Sequence, residues 1–229
     1  METPQIVQIV ATISLLVVSL GIHEAAHAWV ADRLGDSSAR QAGRVTLNPI
    51  PHIDLFMTIL LPGMLLISGS PFVFGGAKPV MVNIFNLRRP RRDWALVALA
   101  GPLSNILQAF MYAGLIALLI SLGVFTSESL GTQVLAVGIY ANALLAVFNL
   151  IPIPPLDGSR VLMYFLRGEA LAKYIQLERF GILIVLALVW MSDWFHSLLW
   201  NGMVIVIEAA ADTFGVYNEV VTAMNKLFN

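Results

Sequence analysis

Residues 5–27 read QIVQIVATISLLVVSLGIHEAAH, and the reading of this stretch decides the fold. From Gln5 to Ile22 it carries no charged side chain, and about 20 apolar residues are enough to span a bilayer as a helix. No proline interrupts it, so the predicted helix continues through His23, Glu24 and His27 to about Ala31. An apolar helix therefore ends in three ionisable groups within five residues. Ionisable groups in such a segment are costly and point to a function with partners elsewhere in the chain.

The rest of the chain repeats the pattern. Residues 94–122 and 130–151 contain no charge, and 180–200 contain only Asp193. The chain is 58% hydrophobic and 12% charged, with mean hydropathy +0.81, whereas soluble domains carry roughly a quarter charged residues. A soluble protein with buried helices could not cover itself with so little polar surface, so this is a polytopic membrane protein. Net charge is −1, which gives no indication of nucleic-acid binding. The absence of cysteine excludes disulfides and thiolate chemistry and leaves His, Asp and Glu as metal ligands. The start, Met1-Glu2-Thr3-Pro4, lacks a basic n-region, so the first helix is expected to be retained.

Between the long helices lie shorter segments. Arg40 to Leu47 reads as a short strand, and 55–68 is an apolar run bent at Pro62-Gly63 and below spanning length. Extended, glycine-punctuated chain follows at 69–82, then Arg88, Arg89, Arg91 and Arg92. If the first helix enters from outside, the positive-inside rule puts Arg33, Arg40, Arg44, Arg160, Arg167 and Lys173 in the cytoplasm. The 122–130 loop and the Asp193 region, without Lys or Arg, then fall outside. Keeping the arginine cluster inside requires 55–82 to enter and leave on one side, as a re-entrant segment, whereas the alternative, a true crossing at 55–72, would put the cluster on the other side. Residues 201–229 read as an interfacial helix. The expected fold is an all-α polytopic membrane protein with about 4–6 transmembrane helices and a re-entrant or membrane-associated β-hairpin region. It forms a single domain over 1–229, with a core at about 5–170 and C-terminal helices at about 178–229.

His23 and His27 are four apart, so a helix places both imidazoles on one face, close enough for one metal ion. Glu24 beside them completes H-E-x-x-H, in which the histidines bind zinc and the glutamate is the general base. A catalytic zinc takes three protein ligands. Asp157, in Pro154-Pro155-Leu156-Asp157-Gly158, follows an outside-to-inside helix and returns to the membrane side of the histidines. His196 falls at the opposite end in this topology, and His52 in Asn48-Pro49-Ile50-Pro51-His52 reads as a solvated loop residue or a secondary partner. Asn149 can donate to a developing oxyanion or make an interhelical hydrogen bond. Asn105, in Ala100-Gly101-Pro102-Leu103-Ser104-Asn105, has the same two readings, its small neighbours favouring close helix packing.

These stretches, HEAAH at 23–27, NPIPHID at 48–54, GGAKPV at 75–80, AGPLSN at 100–105 and NLIPIPPLDG at 149–158, resemble the site-2 protease family of intramembrane zinc metalloproteases. The resemblance covers about residues 5–170. It implies one zinc ion on His23, His27 and Asp157, Glu24 as catalytic glutamate, Asn149 as active-site asparagine, and GGAKPV as a membrane-associated hairpin that receives substrate as an added strand. Gly76 stands where close relatives carry tryptophan, and Leu55 where they carry proline. No PDZ-like or regulatory domain fits in 229 residues, so a minimal member is expected. The expected activity is hydrolysis of peptide bonds within or near transmembrane segments of membrane proteins, in a prokaryotic cell membrane, with the site toward the cytoplasm. The main alternative is a metal-ion transporter or sensor using the same His/Glu/Asp cluster. A diiron oxidase would need more histidines, and intact HEAAH and LDG speak against a silent scaffold.

Overall fold

A computed structural model describes residues 3–60, 63–64, 67 and 75–228. Helix α1 runs Thr3–Leu34 and is followed by a short α2 at Ser38–Gln41. A 3-10 turn at Ile50–His52 and a wide π-helical turn at Leu55–Leu60 precede extended chain from residue 75 and a 3-10 turn at Ile84–Asn86. Helices α3 (Pro90–Ser121), α4 (Leu130–Leu150), α5 (Asp157–Phe165), α6 (Gly168–Gln176), α7 (Gly181–Met191), α8 (Asp193–Thr213) and α9 (Tyr217–Phe228) complete the chain. Among the described residues, five segments are long and apolar enough to cross a membrane: Val10–Leu34, Pro90–Ser121, Leu130–Leu150, Gly168–Met191 and Asp193–Thr213.

Helix α3 is the centre of the bundle, packed against α1, α4 and α5. Its buried face is rich in small residues, among them Ala95, Ala98, Gly101, Ala109 and Ala113, and α4 answers with Gly138, Ala143 and Ala146. Small side chains let helix axes approach closely where lipid supplies no hydrophobic drive between helices. At one end of the bundle Ala109, Ala113, Ile116, Ala136 and Ile139 pack with Ala210 and Ala211 of α8 and with Val216, Val220 and Ala223. Helix α9 is thus seated on the core, and Lys226 pairs with Glu128 of the α3–α4 loop at 2.7 Å.

Several expectations change. The helix expected at 180–200 is broken at Ser192, and residues 201–213, read as interfacial, belong to α8, long enough to span. The start of α8 packs Phe195 on Ile151 and Leu156, next to Asp157, so the Asp193 region is not at the far end of the bundle. Arg40 to Leu47 is not a strand: α2 occupies Ser38–Gln41, Gly43 turns at φ +70, and the buried Arg44 side chain draws the chain inward. No β-strand occurs among the described residues. The GGAKPV stretch at 75–80, expected as a membrane-associated hairpin, is extended chain without a strand partner among the described residues, and 61–62, 65–66 and 68–74 of the expected re-entrant segment lie outside them. The ends of that excursion do meet, since Gly76 N–H donates to the Met57 carbonyl (3.0 Å) and the Thr58 hydroxyl to the Gly76 carbonyl (2.5 Å).

Candidate metal centre

Helix α1 presents His23 and His27 one turn apart on the face that meets α3. Their rings stand edge-to-face with centroids 4.6 Å apart. Opposite them α3 has Gly101, and in the same turn Pro102 removes one helical N–H. Asp157 arrives from the other side. Helix α4 ends at Leu150, Pro152, Pro154 and Pro155 keep the chain non-helical, and Asp157 starts α5. Gly158 makes this return possible, because a Cβ there would stand 2.1 Å from the Leu150 carbonyl oxygen. Arg91, at the start of α3, donates to the carbonyls of Met163, Tyr164 and Leu166 at the far end of α5 and so ties that helix in place.

The three side chains converge. His23 Nε2 lies 3.0 Å from His27 Nε2, and Asp157 Oδ2 lies 3.2 Å from the first and 3.4 Å from the second. Each histidine faces an acceptor on its other nitrogen: His23 Nδ1 is 2.6 Å from Asn105 Oδ1, and His27 Nδ1 is 2.6 Å from the Val97 carbonyl. In the neutral rings the protons therefore sit on Nδ1, and both Nε2 atoms turn lone pairs toward a carboxylate oxygen. No donor reaches the buried Asp157 Oδ2. Three acceptors this close repel one another unless a cation joins them. Bonds of roughly 2.0–2.1 Å at tetrahedral angles separate ligand atoms by about 3.3–3.4 Å, close to the spacing here, so the donor set fits zinc. His23, His27 and Asp157 are the group of metal-binding type among the described residues.

Glu24 does not join this cluster. Its Oε2 accepts the Val80 backbone N–H at 2.8 Å, which ties it to the extended GGAKPV segment. That segment is held in turn by Lys78 N–H donating to the His52 carbonyl (2.8 Å) and by Arg44, which donates to the carbonyls of Pro51, Lys78 and Pro79. Asn149 is half-buried and donates one amide N–H to the Leu145 carbonyl at 3.0 Å. His52 is buried, at 1% exposure, and not the solvated loop residue expected; its Nε2 meets the Thr46 carbonyl at 3.1 Å. His196 lies outside the cluster for a different reason than topology: its Nε2 is 2.6 Å from the Val189 carbonyl. Asn105 resolves toward a polar role, as the acceptor for His23. Ser19, Asn142 and the Val97 carbonyl were not singled out from sequence. A buried Asn in a charge-free helix, as at Asn142, was the available signal.

The fold and this site define a membrane-embedded zinc metalloprotease, and the chain belongs to the site-2 protease family, peptidase family M50. The profile described as "Peptidase family M50" matches residues 125–192. The chain is 40% identical over 176 residues to the protein named "Putative zinc metalloprotease YwhC" of Bacillus subtilis (strain 168), covering 76% of this chain and 77% of that one. It is 30% identical over 187 residues to "Putative zinc metalloprotease Rip2" of Mycolicibacterium smegmatis (80% and 68% covered). It is 32% identical over 158 residues to "Putative zinc metalloprotease MJ0611" of Methanocaldococcus jannaschii (68% and 72%). No solved structure matches. These likenesses make zinc the metal and proteolysis the activity, and they leave the transporter alternative without support.

Proposed function

We propose that this protein cleaves peptide bonds within or near the transmembrane segments of membrane proteins, in the manner of regulated intramembrane proteolysis. The observation that carries the reading is the meeting of two imidazole lone pairs and a carboxylate oxygen at 3.0–3.4 Å, the imidazoles on a helix long and apolar enough to cross a bilayer and the carboxylate at the start of the short helix that follows another. His23, His27 and Asp157 hold the zinc. When bound, zinc supplies Lewis acidity toward the scissile carbonyl and lowers the pKa of water.

Glu24 takes the proton of the attacking water and later delivers it to the leaving amine. Its separation from the ligand cluster and its place beside the 75–80 segment suit a base that reaches toward substrate. Asn149 donates an amide N–H to the developing oxyanion, by swinging from the Leu145 carbonyl or with its second N–H. The substrate segment must unwind locally, because a helical peptide bond is sterically shielded. A transmembrane segment with helix-weakening residues is therefore the preferred class. The catalytic unit is the whole single domain, with its core at about 5–170 and its site open to the cytoplasm of a prokaryotic cell, following the basic residues near that end.

The test is cleavage of a transmembrane substrate by purified protein in detergent or proteoliposomes, comparing wild type with Glu24→Gln and measuring zinc in both. Loss of cleavage by about 10²-fold or more with zinc retained supports the mechanism. Cleavage that survives the substitution overturns it.

A further inference from the structure

Beyond the ligands, one line of buried amides runs away from the site across three helices. Asn142 on α4 donates from Nδ2 to the Ser19 hydroxyl (2.9 Å) and to the Gly138 carbonyl (2.9 Å). A carbonyl can only accept, so the Asn142 amide has one orientation and its Oδ1 faces α3. There it accepts from Asn105 Nδ2 at 2.8 Å. That bond orients the second amide, whose Oδ1 is left facing His23 Nδ1 at 2.6 Å. Ser19, Asn105 and Asn142 are each 0% exposed.

We propose that Asn142 is a positioning residue of the zinc site, acting through Asn105 to hold the His23 proton on Nδ1 and its lone pair on Nε2. The proposal rests on the assignment of His23, His27 and Asp157 as ligands. Its physical basis is direction. The two neutral tautomers of an imidazole differ little on their own, so the one that can bind a metal must be chosen by the partner of the other nitrogen. Asn105 alone would not choose, because a freely rotating amide offers His23 either an acceptor oxygen or a donor nitrogen. Asn142 removes that freedom: flipping Asn105 would set its oxygen against Asn142 Oδ1, two acceptors face to face in a site with no exposure. His27 needs no such relay, since the Val97 carbonyl fixes its tautomer directly. An interhelical hydrogen bond with no bearing on the metal would hold α3 to α4 equally well but would leave His23 indifferent to Asn142.

The experiment uses the full chain purified in detergent, with zinc affinity measured by competition against a chromogenic chelator and the visible spectrum recorded with cobalt(II) in place of zinc. Asn142→Leu should weaken zinc binding roughly tenfold and alter the cobalt bands, with helicity and monodispersity kept. In an Asn105→Ala background, where the relay is already cut, adding Asn142→Leu should weaken binding no further. Asn142→Ala, which removes the same amide with a smaller side chain, should shift both readouts in the same direction. Should the leucine variant not fold, Asn142→Ala decides alone, and unchanged affinity and cobalt bands in it overturn the proposal. Wild-type affinity and spectrum in Asn142→Leu, or losses that add in the double variant, overturn it as well. A wild-type protein that binds no zinc would instead sink the ligand assignment beneath it.

Discussion

Gly101 lies directly against the paired imidazoles: a Cβ at this position would stand 2.4 Å from His27 Nε2 and 2.5 Å from His23 Nε2. The α3 backbone thus forms one wall of the metal centre, and the atoms a side chain would strike are the ones proposed to bind zinc. Gly101→Ala should cut zinc affinity by about tenfold or more, because the imidazoles must shift by more than a bond to a metal tolerates. Zinc content of the purified variant, with far-ultraviolet circular dichroism as a folding control, checks this. Wild-type zinc content would show that α3 can retreat.

The proposed third ligand makes a separate prediction. Asp157→Ala leaves two histidines, below the number a catalytic zinc requires, and should weaken zinc binding about a hundredfold or more. Removing the metal from wild type with a chelator should abolish cleavage, and added zinc should restore it. Unchanged zinc affinity in Asp157→Ala would remove this residue from the site.

Gly158 acts on the backbone that delivers Asp157. A Cβ there would fall 2.1 Å from the Leu150 oxygen and 2.6 Å from the Ile151 oxygen, both main-chain atoms that cannot swing aside. Gly158→Ala should destabilise the protein by about 3 kcal/mol or more through overpacking, read as a lowered unfolding temperature and poor yield.

Arg44 is buried and holds the Pro51, Lys78 and Pro79 carbonyls together beside Glu24. Arg44→Ala leaves those acceptors unpaired and should cost about 2–3 kcal/mol. It should also raise KM for a transmembrane substrate while zinc content stays at one ion, because it loosens the 75–80 segment and not the ligands. A variant with unchanged KM would separate that segment from substrate binding.

Asp36 joins the end of α1 to the 83–86 turn. It accepts from the Ser38 N–H (3.1 Å) and hydroxyl (2.6 Å), the Asn83 N–H (2.7 Å) and Asn86 Nδ2 (3.0 Å). Burial alone would raise its pKa, but these donors outweigh burial and hold it below the ordinary 3.8. A carboxylate depressed on folding stabilises fully above its unfolded pKa and loses that contribution as pH falls through the folded value. Acid below about pH 4 should therefore destabilise wild type more steeply than Asp36→Asn. Parallel acid limbs in thermal unfolding would count against this.

Much of the site was legible in the sequence because its chemistry is local. H-E-x-x-H needs only helical periodicity to bring His23 and His27 together, and charge-free runs of spanning length announce the bundle. Asp157 followed from counting helices between it and HEAAH. His196 shows where such counting failed: the break at Ser192 brings α8 back beside Leu156, so its exclusion as a ligand rests on contacts and not on membrane side. His52 looked solvated because a polar stretch surrounds it. It is buried because Gly21 lets the 48–52 loop pack onto α1, with a Cβ there only 3.2 Å from Pro49.

The sequence by itself determined a membrane protein, an H-E-x-x-H motif on its first helix and the residue types proposed for peptide hydrolysis, since these depend on hydropathy and on spacing within one element. Only the tertiary structure decided which nitrogen of each histidine carries the lone pair, that Gly101 makes the room, and that Asn105 and Asn142 stand in line behind His23. Those facts depend on atoms from three helices meeting at hydrogen-bond distance, and a packing register between helices is not written in the periodicity of any one of them.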